Sequence, residues 1–357
     1  MSVYKNGIKK DVERIAAAIQ VRDSFATPAE ISYLPTDPSQ LLFDDRKRHM
    51  LSHFLGSKTD KLSDYELFYE FISNLESVQG SAEKEIFVEE LKILYGDEIL
   101  GAINDPRLAW QNICDKMSLG KYNYAEKIKT MSSNNLTNYV RIFSNIDNFQ
   151  NYYDFLSYQT EEIKKSDSEY IVADISVLNF ARTDDFHAAE AYKRYVAKDT
   201  KFRDVALSGA LYPVMSAIKS AGKTLLLNIE DNYSSAERII EYFSAREVLP
   251  NTVIFAREHS RRVAERLCGA YKSGKGEIFV RFGLLFYEGD TVRDIKARVL
   301  DASAVYPVGK LFVGGALTSS PLLPARHNIL KRGIAEALYE LSCDLDWCLR
   351  ITENIVK

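Results

Sequence analysis

The C-terminal half of the chain alternates short apolar runs with longer amphipathic segments. The apolar runs begin at residues 223, 252, 278 and 310, so they recur every 26 to 32 residues. Each run is apolar at successive positions, as is typical of parallel strands that are buried on both faces. An earlier run, 170–180, fits the same sheet. The pattern predicts a βα repeat. Helices are predicted over the intervening segments 234–246, 258–272, 290–300 and 326–345.

Residues 44–125 follow a different pattern. Their apolar positions have helical spacing and their strand signals are few, which predicts a helical insertion. The remaining residues, 1–43 and 126–357, approach the roughly 250 residues of a barrel fold. No glycine-rich turn follows a strand, which disfavours a dinucleotide-binding doubly wound sheet. We therefore predict an α/β protein, a (β/α)8 TIM barrel with a helical insertion.

Composition narrows the class of protein. Lys and Arg total 46 and Asp and Glu total 50, so the net charge of the 357 residues is −4. An acidic chain lacks the basic surface that nucleic-acid binding requires. No apolar run is long enough to cross a bilayer, and the N-terminus lacks the apolar core of a signal peptide, so we expect no membrane association. The four scattered cysteines predict a reducing, cytoplasmic location.

Polar residues follow each of the four later apolar runs. In a βα barrel the carboxyl ends of the strands carry the active-site residues. The residues at these ends are Asn228, Glu230 and Asp231; Arg257, Glu258 and His259; Glu288 and Asp290; and Thr318, Ser319 and Ser320. The sequence lacks the motifs of zinc proteases, α/β-hydrolases and P-loop enzymes.

Two residue pairs have both a functional and a structural interpretation. His49 and His53 lie four residues apart in a helical segment, but their neighbours are basic, so a helix-surface role is favoured over a metal site. Glu230 and Asp231 either act as a general acid/base pair or solvate a loop. The solvating role is the commoner one for such a pair.

Helix starts account for further polar residues. Asp184 and Asp185 are expected to cap the helix that begins near Phe186. His327 is either a catalytic base or a structural residue in the first turn of the last long helix, and the structural role is favoured.

Residues 309–332 resemble the last strand, loop and helix of the glucuronate (uronate) isomerases, a family of barrels in the amidohydrolase superfamily. That family has a Phe-Val-Gly strand, a Leu-Thr-Asp-Ser-Arg turn and a helix that starts Arg-His-Glu-Tyr-Phe-Arg-Arg. The matching residues here are Phe312-Val313-Gly314, Leu317-Thr318, Arg326-His327 and Arg332. Weaker likeness extends upstream over most of the chain, the helical insertion included.

The resemblance implies an aldose–ketose isomerisation of D-glucuronate or D-galacturonate. The family binds a divalent metal, which polarises the oxygens at C1 and C2 of the sugar. Its ligands are an HxH motif on the first strand, a histidine on a middle strand and an aspartate after the last strand. The aligned residues here are Leu34, Thr36, Asn228 and Ser319, and a His-Tyr pair of the family becomes Arg46 and Lys47. These side chains are poor ligands for Zn²⁺, so we expect no metal.

We therefore expect a divergent, metal-free, uronate isomerase-like protein with reduced or absent isomerase activity that binds a sugar acid. Arginine suits the carboxylate of a uronate because the guanidinium group can make a bidentate contact. The substrate-binding candidates are Arg326, His327, Arg281, Arg182, Asn228, Ser319 and Asp290. Arg326, His327 and Arg281 are expected near the mouth of the barrel. No catalytic residue is assigned, and the sequence is compatible with a homo-oligomer.

Two alternatives stay open. An active glucuronate isomerase, with a divalent metal such as Zn²⁺, would build its site from residues such as His49, His53, His187 or Asp290. A metal-free barrel enzyme of other specificity would use Glu230, Asp231 or His259 as acid/base groups.

Overall fold

The computed structural model describes residues 2–19, 48–49, 51–53, 59–77, 79–97, 105–118, 139–257, 260–271, 279–287, 289–317 and 323–355. The chain divides into two compact units. The helical unit comprises residues 1–136, 286–297 and 315–349. The sheet unit comprises residues 137–285, 298–314 and 350–357.

A six-stranded sheet with the strand order β1-β2-β3-β4-β5-β6 is the main feature of the sheet unit, and the pairs from β1 to β5 are parallel. The strands are β1 (Tyr139–Arg141), β2 (Tyr170–Asp174), β3 (Thr224–Glu230), β4 (Asn251–Ala256), β5 (Val280–Tyr287) and β6 (Phe312–Leu317). The helices are α1 (Ser2–Ala18), α2 (Asp64–Ser73), α3 (Ala82–Tyr95), α4 (Pro106–Ser118), α5 (Tyr152–Lys165), α6 (Asp185–Val196), α7 (Arg203–Ser220), α8 (Tyr233–Ser244), α9 (Ser260–Arg266), α10 (Val292–Ser303), α11 (Leu323–Ser342) and α12 (Leu345–Ile355).

The βα repeat predicted from the apolar runs is confirmed. Strands β2 to β6 overlap the five runs, and a helix follows each of them. Leu225, Leu226 and Leu227 are each 0% exposed, so both faces of β3 are buried, as the continuous apolar pattern indicated. Strand β1 was not predicted, because three residues are too few to show a pattern.

The sheet is strongly curled, so that side chains from distant strands meet on its inner face. The rings of Tyr170 on β2 and Phe312 on β6 lie 5.9 Å apart, although a flat sheet would separate these strands by about 19 Å. Phe255 on β4 also lies 5.9 Å from Phe312. A Cβ atom placed on Gly283 or Gly314 would come within 2.3 or 2.6 Å of the Phe255 ring. The two glycines therefore make room for this ring.

The closed (β/α)8 barrel that we predicted is wrong. Within the described ranges the sheet has six strands, with β1 and β6 at its ends. A barrel of the predicted type requires eight strands whose two edges pair with each other. The expected first strand, within 31–41, lies outside the described residues. Periodicity identified the strands β2 to β6, whereas closure was inferred from chain length and from the resemblance.

The helical unit is built from amphipathic helices, three of which (α2, α3 and α4) lie within residues 44–125. Helix α2 begins with a capping box: the Ser63 hydroxyl accepts from the Glu66 N–H, and the Glu66 carboxylate accepts from the Ser63 N–H. Helix α11 packs closely on α10, since a Cβ on Gly333 would lie 2.6 Å from Ile295. The division of the chain into residues 44–125 as an insertion and the remainder as a separate domain stays a prediction.

Two further findings concern the class of protein. Among the described residues, every helix is too short or too polar to span a bilayer. All four cysteines are free thiols, of which Cys268 and Cys348 are buried and Cys343 is exposed. Burial raises the pKa of the Cys268 thiol.

Candidate functional site at the strand ends

The carboxyl ends of β2 and β3 bring together a carboxylate and a buried amide. Asp174 and Asn228 are register partners on these neighbouring strands. The Asn228 side chain is 1% exposed, and its Nδ2 donates to Asp174 Oδ2 at 3.3 Å. The other carboxylate oxygen of Asp174 accepts from the N–H and the hydroxyl of Ser176, at 2.9 and 2.7 Å. Both carboxylate oxygens of Asp174 are therefore held in place, although the residue is exposed.

Glu230 ends β3 in an unusual backbone conformation. Its φ of 47° lies in the left-handed region, which a residue with a side chain adopts at a cost of about 1–2 kcal/mol. The register with β4 shifts between Asn228 and Glu230. The Glu230 N–H donates to Asn228 Oδ1 at 3.4 Å, and its carbonyl accepts from the Arg257 N–H at 2.9 Å. This bulge presents the Glu230 side chain to solvent.

We define the strand-end site as Asp174, Asn228, Glu230, Asp231 and Arg257. All except Asn228 are exposed. The carboxylates can accept hydrogen bonds from hydroxyl groups, and a carboxylate can also act as a general base. The arginine can pair with a ligand carboxylate or phosphate. The arrangement suits a polyhydroxylated ligand that carries an anionic group.

The loop that follows β2 is tied to the end of β3 and then carries Arg182 toward the end of α8. The Asn232 side chain donates to the carbonyls of Ile175 and Leu178, at 2.7 Å each, and so ties this loop to the end of β3. Arg182 is exposed, and its guanidinium carbon lies 5.3 Å from the centre of the Tyr242 ring. Tyr242 lies in the last turn of α8, and the guanidinium of Arg246 covers the same ring. The structure therefore does not bring Arg182 to the strand-end site.

Arg281 does not lie with the other candidates. It is the second residue of β5, two positions before Gly283. Gly283 is the register partner of Phe255, which is the register partner of Asn228, so Gly283 and Asn228 lie at the same level of the sheet. Its Nε donates to the carbonyl of Lys310, in the turn before β6, at 3.3 Å. The structure thus places Arg281 toward the amino ends of the strands, opposite to the position near the mouth that we expected. A residue near the start of a parallel strand lies toward the amino-end edge of the sheet, and its charge does not change this position.

Asp290, Arg326 and His327 belong to the helical unit and are buried, with exposures of 6%, 1% and 2%. Arg326 and His327 are the fourth and fifth residues of α11. Asp290 directly precedes Thr291, whose hydroxyl and N–H form a reciprocal cap with Asp294 at the start of α10. A buried guanidinium is tolerated only among acceptors. Burial of His327 agrees with its structural interpretation.

The remaining predicted positions lie outside the described residues. They are Ser319 among the binding candidates, its neighbours Thr318 and Ser320, the strand-end residues Glu258, His259 and Glu288, and the aligned positions Leu34, Thr36, Arg46 and Lys47.

The described residues do not fit a divalent metal. Within these ranges, no three His, Cys, Asp or Glu side chains are grouped as ligands. At the middle-strand position, both side-chain atoms of Asn228 are engaged, one with Asp174 and one with the Glu230 N–H. His49 and His53 are exposed, with their Nε2 atoms 3.2 Å apart, which agrees with the helix-surface interpretation. No step proposed below depends on a metal.

Asp184 caps α6, as predicted. Its carboxylate accepts from the backbone N–H of His187 at 2.8 Å and from Nδ1 of the same residue at 2.8 Å. These hydrogen bonds hold the pKa of Asp184 below its usual range. Both side chains are exposed, so this His–Asp pair serves a helix start.

Asp174 is the functional candidate that the sequence analysis missed. It is the first polar residue after the apolar run of β2, and the rule that selected Asn228 and Glu230 would have selected it too. The run was assigned as 170–180 because apolar residues continue beyond Asp174, and this obscured where the strand ends.

Comparisons with known proteins reveal a similarity of structure. No protein-family model matches the sequence, and no curated protein matches it either. Among solved structures, the crystal structure of uronate isomerase from Thermotoga maritima matches with a TM-score of 0.66. The match covers 97% of this chain and 95% of that chain at 9% sequence identity. The chain therefore has a fold distantly similar to that of a uronate isomerase.

Proposed function

We propose that this protein binds a sugar acid at the strand-end site and is a uronate isomerase-like protein with reduced or absent turnover. The observation that carries the proposal is the similarity of fold to the Thermotoga maritima uronate isomerase over nearly the whole of both chains. In βα folds, ligands bind at the carboxyl ends of the strands, and this is where Asp174, Glu230 and Arg257 are exposed.

Each group at this edge has a role toward such a ligand. The carboxylates of Asp174 and Glu230 accept hydrogen bonds from sugar hydroxyls. The guanidinium of Arg257 pairs with the sugar carboxylate in a bidentate contact. Asn228 acts through Asp174: its amide fixes the carboxylate from the buried side, so the ligand meets an acceptor that is already oriented.

Active isomerisation is the second candidate function, and the two carboxylates on adjacent strands favour it. Aldose–ketose isomerisation moves a proton between C2 and C1, which a carboxylate can carry as a general base. The sugar oxygens must be stabilised in the same step. At the strand-end position where the resemblance expects an imidazole, this chain has the amide of Asn228. We therefore expect binding to exceed turnover.

The test is titration of the full-length protein with D-glucuronate and D-galacturonate, with D-glucose as the uncharged comparison. Isothermal titration calorimetry measures binding, and NMR of the sugar measures conversion to the ketose. We expect Glu230→Gln and Arg257→Gln to weaken uronate binding at least tenfold. Arg246→Gln, at an exposed arginine after α8 near the opposite end of the sheet, is the matched control and should leave binding unchanged.

The outcomes separate the two functions. Uronate binding without ketose formation supports the proposal, and per-second turnover would instead establish an active isomerase. Equal affinity for glucose and the uronates, or no affinity for any of them, would refute sugar-acid recognition. The predicted cytoplasmic location and the expected absence of nucleic-acid partners stay predictions.

A further inference from the structure

The helical unit contains a cavity whose lining includes none of the strand-end residues. Its volume is about 760 Å³, and four helices line it: α1, α3, α10 and α11. Pockets that hold small organic ligands have volumes of about 300–1,000 Å³. The apolar part of the lining comes mainly from one face of α1, with residues Ile8, Val12, Ala16 and Ala17.

The charged part of the lining is almost fully paired. Five basic and four acidic side chains line the cavity. Each of the four glutamates has a basic partner within 4 Å. The pairs are Lys9–Glu13 at 3.9 Å, Lys92–Glu89 at 2.7 Å, Lys296–Glu340 at 2.5 Å and Arg332–Glu336 at 3.3 Å. One positive charge, that of Lys331, is left over.

Lys331 differs from the other four basic residues. In the portion of the chain that the structure describes, its ammonium group has neither a hydrogen bond nor a carboxylate partner. It is half-buried, and this burial lowers its pKa. A partly desolvated ammonium group is stabilised by any anion that reaches it. The cavity thus combines an apolar wall with one uncompensated cation.

We propose that this cavity binds a small amphipathic carboxylate, whose anionic group pairs with Lys331 and whose apolar body packs against α1. A single excess positive charge matches a monoanion better than a doubly charged phosphate. The proposal is independent of the proposed function, because the strand-end residues belong to the sheet unit and none of them lines the cavity.

Octanoate is the probe, with 1-octanol as its uncharged counterpart and inorganic phosphate as an anion without an apolar body. Calorimetric titration of the full-length protein should show one equivalent of octanoate bound. We expect Lys331→Met to weaken octanoate binding at least tenfold and Lys331→Arg to retain most of it. Lys165→Met is the charge-matched control, because Lys165 is exposed and paired with Glu161.

A second variant tests the apolar wall. Ala16→Leu reduces the free volume beside α1, so octanoate binding should weaken while the charge of the cavity is unchanged. Thermal unfolding of each variant checks that it is folded. Equal binding of octanol and octanoate, or unchanged binding by Lys331→Met, would overturn the assignment of Lys331. Phosphate that competes fully with octanoate would overturn the requirement for an apolar body. Uronate binding measured on the same samples reports on the strand-end site separately.

Discussion

Replacing Gly283 by alanine tests the packing of the curled sheet. The added Cβ would lie 2.3 and 2.5 Å from two carbons of the Phe255 ring and 2.7 Å from Val253 Cγ1. Real Cβ atoms do not approach other atoms so closely. A Cβ on Gly314 would meet the same Cε1 atom of the ring at 2.6 Å, so β6 also packs closely against this edge. The strain must be absorbed by a shift of the Phe255 and Val253 side chains or of the backbone of β4 and β5.

The expected loss in the free energy of unfolding is the difference between two opposing effects. Overpacking of a buried site costs about 1–3 kcal/mol, whereas replacing glycine by alanine within a strand gains about 0.5–1 kcal/mol from backbone entropy. Gly283→Ala should therefore lower the free energy of unfolding by about 1–2 kcal/mol. Gly7→Ala is the control: Gly7 lies within α1 with no atom within 4 Å of an added Cβ, so this variant should gain up to about 1 kcal/mol.

Urea denaturation followed by circular dichroism measures both changes. The double variant Gly283→Ala/Phe255→Leu tests whether contact with the Phe255 ring causes the loss of stability, because a smaller side chain at 255 leaves room for the new methyl group. Its loss should be smaller than the sum of the two single losses by at least about 0.5 kcal/mol. A Gly283→Ala protein as stable as the parent, or strictly additive losses, would refute the packing argument.

Three further substitutions probe other parts of the molecule. Ser63→Ala removes the hydroxyl that caps α2 and should destabilise the protein by about 1 kcal/mol in urea denaturation; an unchanged midpoint would contradict the role of this cap. Tyr152→Phe removes a buried hydroxyl that has no hydrogen-bond partner among the described residues, so it should be neutral or stabilising by up to about 1 kcal/mol, and a clear loss of stability would reveal a partner. The pKa of Lys331 is lowered in the folded protein, so between that pKa and the ordinary lysine value the unfolded chain binds more protons than the folded one. The stability of the parent relative to Lys331→Met should therefore increase as the pH rises through this window. An equal difference between their urea midpoints at neutral and at alkaline pH would contradict this.

The hydrophobic pattern predicted local elements better than their assembly. Strands such as β3 are apolar on both faces and are bounded by glycine and acidic residues, so their existence follows from burial alone. Whether a sheet closes depends on strand number, tilt and pairing of edges far apart in sequence. The pattern of one segment carries no information on these, and the eight-stranded prediction failed for that reason.

The candidate site was predicted in part. Asn228 and Glu230 were found because they directly follow an apolar run, and the same rule overlooked Asp174 only because the run was read too long. Arg281 was selected for its charge, and its position early in β5 places it toward the other end of the sheet. Burial of Arg326 and of Asp290 depends on helix packing in the helical unit, which the residue types alone do not reveal.

The left-handed backbone at Glu230 implies that local stability and ligand binding favour different residues at this position. A glycine would adopt this conformation without steric cost, so Glu230→Gly should relieve local strain even as it removes a carboxylate from the edge of the sheet. If the more stable variant no longer binds a sugar acid, the backbone strain at residue 230 is the cost of keeping an acidic side chain at that position.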